Sequence, residues 1–155
     1  MWTGTGGSQR WVFFTLAVVL MSPGTGEAAD QEMPKVPFED QPCQSLSPAD
    51  QATLQFPETL TGKPDRAPAG LQHDNVCSWH HGGSLYVQIG YHLKIDYEAN
   101  QSGNRNTGHQ APSDLPGAFY DRQGGLWFAK NGYFVVVSGK SKLREPVAKI
   151  LVAKL

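Results

Sequence analysis

The chain reads as an α+β protein, an antiparallel sheet of about four to six strands packed with an N-terminal and a C-terminal helix and closed by one disulfide. Three observations predict this class. Two segments alternate in hydropathy or β-branched content and meet at Gly-rich turns, "CSWHHGGSLYVQI" and "LWFAKNGYFVVV". A helix start marked by Ser47-Pro48 precedes them, and an amphipathic stretch closes the chain. Only two cysteines occur, Cys43 and Cys77.

The first 29 residues read as a secretory signal peptide. Arg10 is the only charge before the apolar run Trp11–Met21, and small residues suited to cleavage follow near Ala28 and Ala29. Eleven residues of helix would span about 16 Å, short of the roughly 30 Å of a bilayer core. The rival reading is an uncleaved signal anchor, the one route to membrane association, because the segment has no cysteine for a lipid anchor. Export to the cell envelope or the exterior is therefore expected. Residues 30–42, "DQEMPKVPFEDQP", read as a Pro- and charge-rich extended linker, and residues 43–155 as a single domain.

In an oxidising compartment an even pair of cysteines reads as one disulfide, Cys43–Cys77. No C-x-x-C spacing and no basic neighbour marks either thiol as reactive. The net charge of −1 and the lack of a basic stripe argue against a nucleic-acid partner and against a polybasic membrane surface.

The first helix is predicted within "SLSPADQATLQF". Ser47 is placed to cap it, Pro48 suits its first position, Asp50 favours its first turn and Pro57 ends it. Residues 57–74 read as an irregular loop. A strand over about Val76–His80 then turns back at the glycines. A two-residue Gly82-Gly83 loop would pair Trp79 with Tyr86, whereas a three-residue loop from His81 pairs Trp79 with Leu85 and Cys77 with Val87. The second register buries Cys77, Trp79, Leu85 and Val87 together and is preferred. Leu85, Val87, Ile89 and Tyr91 then share the apolar face of the second strand.

Residues 98–114 read as a long exposed polar loop, with Asp96 and Glu98 on one strand face if the strand runs past Leu93. Asn131-Gly132 predicts a type I′ turn that pairs Phe128 with Val135 and Trp127 with Val136. Both faces of this hairpin are apolar, so each must be covered or remain sticky. The last segment aligns Leu143, Val147, Ile150, Leu151 and Leu155 on one stripe of a helix able to cover one face, with Pro146 confined to the first turn.

Chemistry is sparse. His73, His80, His81, His92 and His109 show no zinc-type spacing, and adjacent strand residues His80 and His81 point to opposite faces, so no metal and no cofactor are expected. Ser78 and His80 share a strand face but lack a nucleophile elbow, so no catalytic residue is assigned. Asn100-Gln101-Ser102 fits the glycosylation pattern. Trp79 is a packing partner of the bridge. Tyr120, Tyr133 and Trp127 are the candidates for a binding surface.

"PCQSLSPAD", "VCSWHHGGSLYVQI" and "LPGAFYD", followed by a hairpin and a terminal helix, recur in an order that resembles the exported actinobacterial proteins and lipoproteins of domain of unknown function 3558. The resemblance spans roughly residues 42–155. It implies an α+β sandwich with Cys43, Cys77 and Trp79 as structural positions, and it transfers no catalytic residue. The functional expectation is a non-catalytic exported module binding an envelope component, a peptide or a small apolar ligand. The alternative is an immunity or inhibitor protein acting on an envelope toxin or hydrolase, with loop 98–114 as its contact.

Overall fold

Asn131 and Gly132 both adopt positive φ, 50° and 81°, as a type I′ turn requires. They join β5 (Leu126–Lys130) to β6 (Tyr133–Gly139) in the expected register, with Phe128 opposite Val135 and Trp127 opposite Val136. This hairpin lies in a six-stranded antiparallel sheet of order β1-β2-β3-β6-β5-β4. The computed structural model describes residues 34–65, 75–104, 112–115 and 117–155. The signal-peptide reading, His73 and His109 fall outside the described residues.

The remaining strands are β1 (Lys63–Asp65), β2 (Val76–His81), β3 (Ser84–His92) and β4 (Phe119–Tyr120). Strand β1 lies inside the stretch expected to be irregular. It is three residues long and carries Pro64, which an outermost strand tolerates. The register of the β2–β3 hairpin differs from both expected alternatives. Gly82-Gly83 form a two-residue turn that sets His81 opposite Ser84 and His80 opposite Leu85. The register then shifts so that Trp79 faces Val87 and Cys77 faces Ile89, leaving Tyr86 as the extra residue of a bulge. The bulge restores the burial that a plain two-residue loop would have lost. Cys77, Trp79, Val87, Ile89 and Tyr91 are each 0–1% exposed, while Leu85, expected inside, is 37% exposed.

Helix α1 (Pro37–Asp40) and a 3₁₀ turn (Pro42–Gln44) replace the end of the expected extended linker. Val36 packs against the core, and Lys35 donates to the Asn131 carbonyl oxygen at 3.2 Å. Helix α2 (Pro48–Thr53) has the predicted cap. Ser47 Oγ accepts from the Asp50 N–H, and the Asp50 carboxylate accepts from the Ser47 N–H.

Helix α3 (Lys94–Asn104) stands where a strand end and a polar loop were expected. Asp96 and Glu98 are therefore two apart on a helix and do not share a face. Helix α4 (Ser141–Lys154) starts earlier than expected, so Pro146 is its sixth residue rather than part of its first turn. Pro146 is exposed, on the side away from the sheet, where water can serve the carbonyl its missing N–H leaves unpaired. On the sheet side Leu143, Val147, Ala148 and Leu151 are buried against Leu126, Phe128, Val135 and Val137.

Helix α4 and the 3₁₀ turn thus cover one face of the sheet. The opposite face of the second hairpin is lined by aromatic rings. Tyr97 of α3 lies 5.3 Å from Phe119, 5.3 Å from Phe134 and 6.4 Å from Trp127, centroid to centroid. The aromatic cover of that face is partial: Trp127 is buried and Phe134 and Val136 partly so, while Ala129 near the turn is exposed.

Candidate functional site

The cysteines are joined. Cys43 of the 3₁₀ turn is bonded to Cys77 of β2, and the bridge lies beside Trp79, which is 1% exposed. Gly62 closes this corner. A Cβ there would stand 2.7 Å from Cys77 Sγ and 2.8 Å from the Trp79 ring, so only glycine lets the chain cross the bridge and the indole.

The three aromatics proposed for a binding surface are not brought together. Trp127 lies on the face away from α4, 5% exposed, stacked parallel to Phe119 at 6.1 Å and tilted against His92 at 4.8 Å. Its indole N–H donates to Asp121 Oδ2 at 2.7 Å. Tyr120 points to the α4 side, where its hydroxyl donates to Glu145 at 2.8 Å. Tyr133 stands edge-on to Tyr91 at 6.4 Å with the Lys35 ammonium 4.3 Å above its ring.

Ser78 is 1% exposed, and its hydroxyl donates to Asp65 Oδ2 at 2.8 Å while accepting from Gln88 Nε2 at 3.0 Å. Gln88 also donates to Asp65 Oδ2 at 3.0 Å. The serine proton is thus held by a carboxylate rather than by an imidazole, which is a structural triangle joining β1, β2 and β3. His81 pairs with Glu58 at 3.1 Å on the surface. Among the described residues no three His, Cys, Asp or Glu side chains converge as a metal site would require.

A concave feature lies at the end of the second hairpin. Strand β4 pairs only with Leu126 and Trp127, so Phe128–Lys130 of β5 have no neighbour on that side among the described strands. Beside this edge is a cavity of about 160 Å³ lined by Leu115, Phe128, Ala129, Lys130 and Val152. An apolar cavity of roughly 150 Å³ accepts a benzene-sized group. Phe128, 1% exposed, forms its floor, and buried Leu115 comes from the turn before β4. That turn is tied to α4 by Lys149–Asp114 at 2.7 Å. The same hydrogen bond holds the Asp114 carboxyl below its ordinary range and raises the Lys149 ammonium above its own. Lys130 is exposed at the mouth.

A larger, more polar hollow of about 330 Å³ is lined by Tyr120, Gly124, Ser141 and Arg144. Its guanidinium is turned to the backbone, with Nε and Nη2 donating to the Gly139 carbonyl oxygen at 3.1 and 2.8 Å.

The β5 cavity escapes sequence reasoning because its lining comes from three separate segments. The one signal for it is the return to apolar residues at "LPGAFYD" ahead of a hairpin that is apolar on both sides. Asp121, 8% exposed and bonded to Trp127, also escapes notice, since it reads only as a turn residue before two glycines. Compared with family models, curated proteins and solved structures, the chain matches none of them.

Proposed function

We propose that this chain is an exported, non-catalytic binding domain whose ligand seats in the cavity between β5 and α4. The observation that carries the reading is the composition of that cavity: Leu115, Phe128, Ala129 and Val152 with a single ionisable group, Lys130, beside an open strand edge. Binding pockets are concave and mostly apolar, with few polar groups that orient the ligand. Export is supported by the Cys43–Cys77 bridge, which belongs in an oxidising setting. No helix among the described residues is long and apolar enough to cross a membrane. The commitment of the Ser78 proton to Asp65 supports a non-catalytic role. The inhibitor reading has lost part of its motivation, because helix α3 occupies the supposed contact loop as far as Asn104.

Titration with indole, followed by NMR, tests the proposal. The resonances of Leu115, Phe128 and Val152 should shift in the native domain and not in Val152→Trp, which fills the cavity. Turnover of an ester, peptide or glycan substrate that co-purifies with the folded protein would overturn it.

A further inference from the structure

The charge at the mouth of the β5 cavity constrains what its ligand carries besides an apolar body. Phe128 and Lys130 are two residues apart on β5, so both side chains stand on the α4 side of the sheet. Phe128 forms the floor and Lys130 the exposed rim. The other described residues of the lining are Leu115, Ala129 and Val152, which leaves the Lys130 ammonium as the one charge there. No ion pair engages it among the described residues. The other cations at this end of the domain are occupied: Lys149 by Asp114, Lys154 by Asp50, and Lys35 by the Asn131 carbonyl oxygen and the Tyr133 ring. The negative end of the α4 dipole is met by Lys154 in its last turn, and the Leu155 carbonyl oxygen accepts from Asn131 Nδ2. The cavity is also bounded. Ala118, next to Phe119 in the β4–β5 register, lies across from Phe128, and its N–H returns to the Leu115 carbonyl oxygen at 3.0 Å. That turn bars an extended chain at Phe128, while the space of about 160 Å³ holds a ring-sized body.

We propose that the cavity takes a compact monoanionic amphiphile: an aromatic ring or branched aliphatic group against Leu115, Phe128 and Val152, with a carboxylate paired to Lys130. This deepens the binding reading above and rests on it. One unopposed cation matches one negative charge. A phosphate monoester carries about −1.5 to −2 at neutral pH and would find no second cation in the described lining. The apolar body supplies most of the affinity, because it leaves water for a mostly apolar space. The ion pair at the exposed rim supplies selectivity, up to about fivefold, the upper end for an exposed pair.

NMR titration of the native protein with phenylacetate, 3-phenylpropanoate and their primary amides tests this. At least one acid should shift the resonances of Leu115, Phe128 and Val152 and bind at least about twofold more tightly than its own amide. The preference should shrink as salt is raised. In Lys130→Met, which keeps an apolar stem and removes the charge, acid and amide should bind equally. Lys130→Glu should invert the order, so that 2-phenylethylamine binds more tightly than either acid. The position is exposed, so both variants should keep a native melting temperature. Amides that match their acids in the native protein, a preference that survives Lys130→Met, or acid binding that leaves Leu115, Phe128 and Val152 unmoved overturns the proposal. Binding of indole or the amides with no preference for the acids overturns the anionic inference alone; failure of indole, amides and acids alike overturns the binding reading as well.

Discussion

Asp121 accepts three hydrogen bonds, from the N–H groups of Gln123 at 2.9 Å and Gly125 at 2.7 Å and from the Trp127 indole at 2.7 Å. It thereby fixes both the turn into β5 and the aromatic wall behind it. Asp121→Ala leaves the nearly buried indole N–H without an acceptor, at a cost of about 1–3 kcal/mol. The urea midpoint should fall with an unchanged slope. Asp121→Asn should restore the backbone bonds but present a donor to the indole, and so recover only part of the loss. At this scale the sequence is legible where one residue type has one use. Ser47 with Asp50, Asn131 with Gly132, and the two cysteines were all readable. Gly62 and Asp121 were not, because their partners are set by tertiary contact at Trp79 and by the strand that begins after the turn.

Helix α3 shows why element prediction fails when burial is sparse. Among the described side chains of "KIDYEANQSGN", Tyr97 is the one in the protein interior, while Ile95 is 70% exposed. A helix held by one residue gives no periodic stripe to read. Tyr97 anchors it through three aromatic contacts and a hydroxyl that donates to the Gly117 carbonyl oxygen at 2.7 Å. Tyr97→Ala should release α3 with the sheet intact. Amide protection across Lys94–Asn104 should then be lost while that of β3 and β6 persists, and Tyr97→Phe should retain most of it. By contrast α4, whose Leu143, Val147 and Leu151 repeat every four residues, was legible apart from its start. The hairpin β5–β6 was legible in full, since turn type and pattern agree. The β2–β3 hairpin kept its expected inward residues Cys77, Trp79 and Val87, but only through a bulge that no local signal announced.

Two links tie down the ends of the domain, the first to the sheet and the second between its helices. The Cys43–Cys77 bridge closes a loop with a sequence separation of 34 residues around α2 and β1. On the chain-entropy model it contributes about 3–4 kcal/mol, a large share of a small domain's stability. Paired Cys43→Ala and Cys77→Ala substitutions should lower the melting temperature accordingly, and thiol reagents should not label the native protein. At the other end, Lys154 donates to the Ser45 carbonyl oxygen at 3.0 Å and pairs with Asp50, bringing the last turn of α4 onto the start of α2.

Between these links Tyr91, fully buried, shares a hydrogen bond of 2.7 Å with Ser45. Burial outweighs that bond, and with the neighbouring Tyr133 it pushes the Tyr91 hydroxyl from 10.0 up to about 12. Because the folded state keeps its proton where the unfolded chain releases it, this contribution to stability is complete below pH 10 and lost as pH rises towards 12. Unfolding free energy should fall across that window, and Tyr91→Phe should flatten the decline. The fold at this scale, α+β with one antiparallel sheet and one bridge, could be read from the chain. The cavity could not, because it depends on where β4 stops.

The cavity beside β5 tests the account most directly. Titration of the native protein with indole should shift the resonances of Leu115, Phe128 and Val152, leave those of the β2–β3 hairpin unchanged, and have no such effect in Val152→Trp. Cavity resonances that do not move, or that move equally in Val152→Trp, would contradict a binding site beside β5.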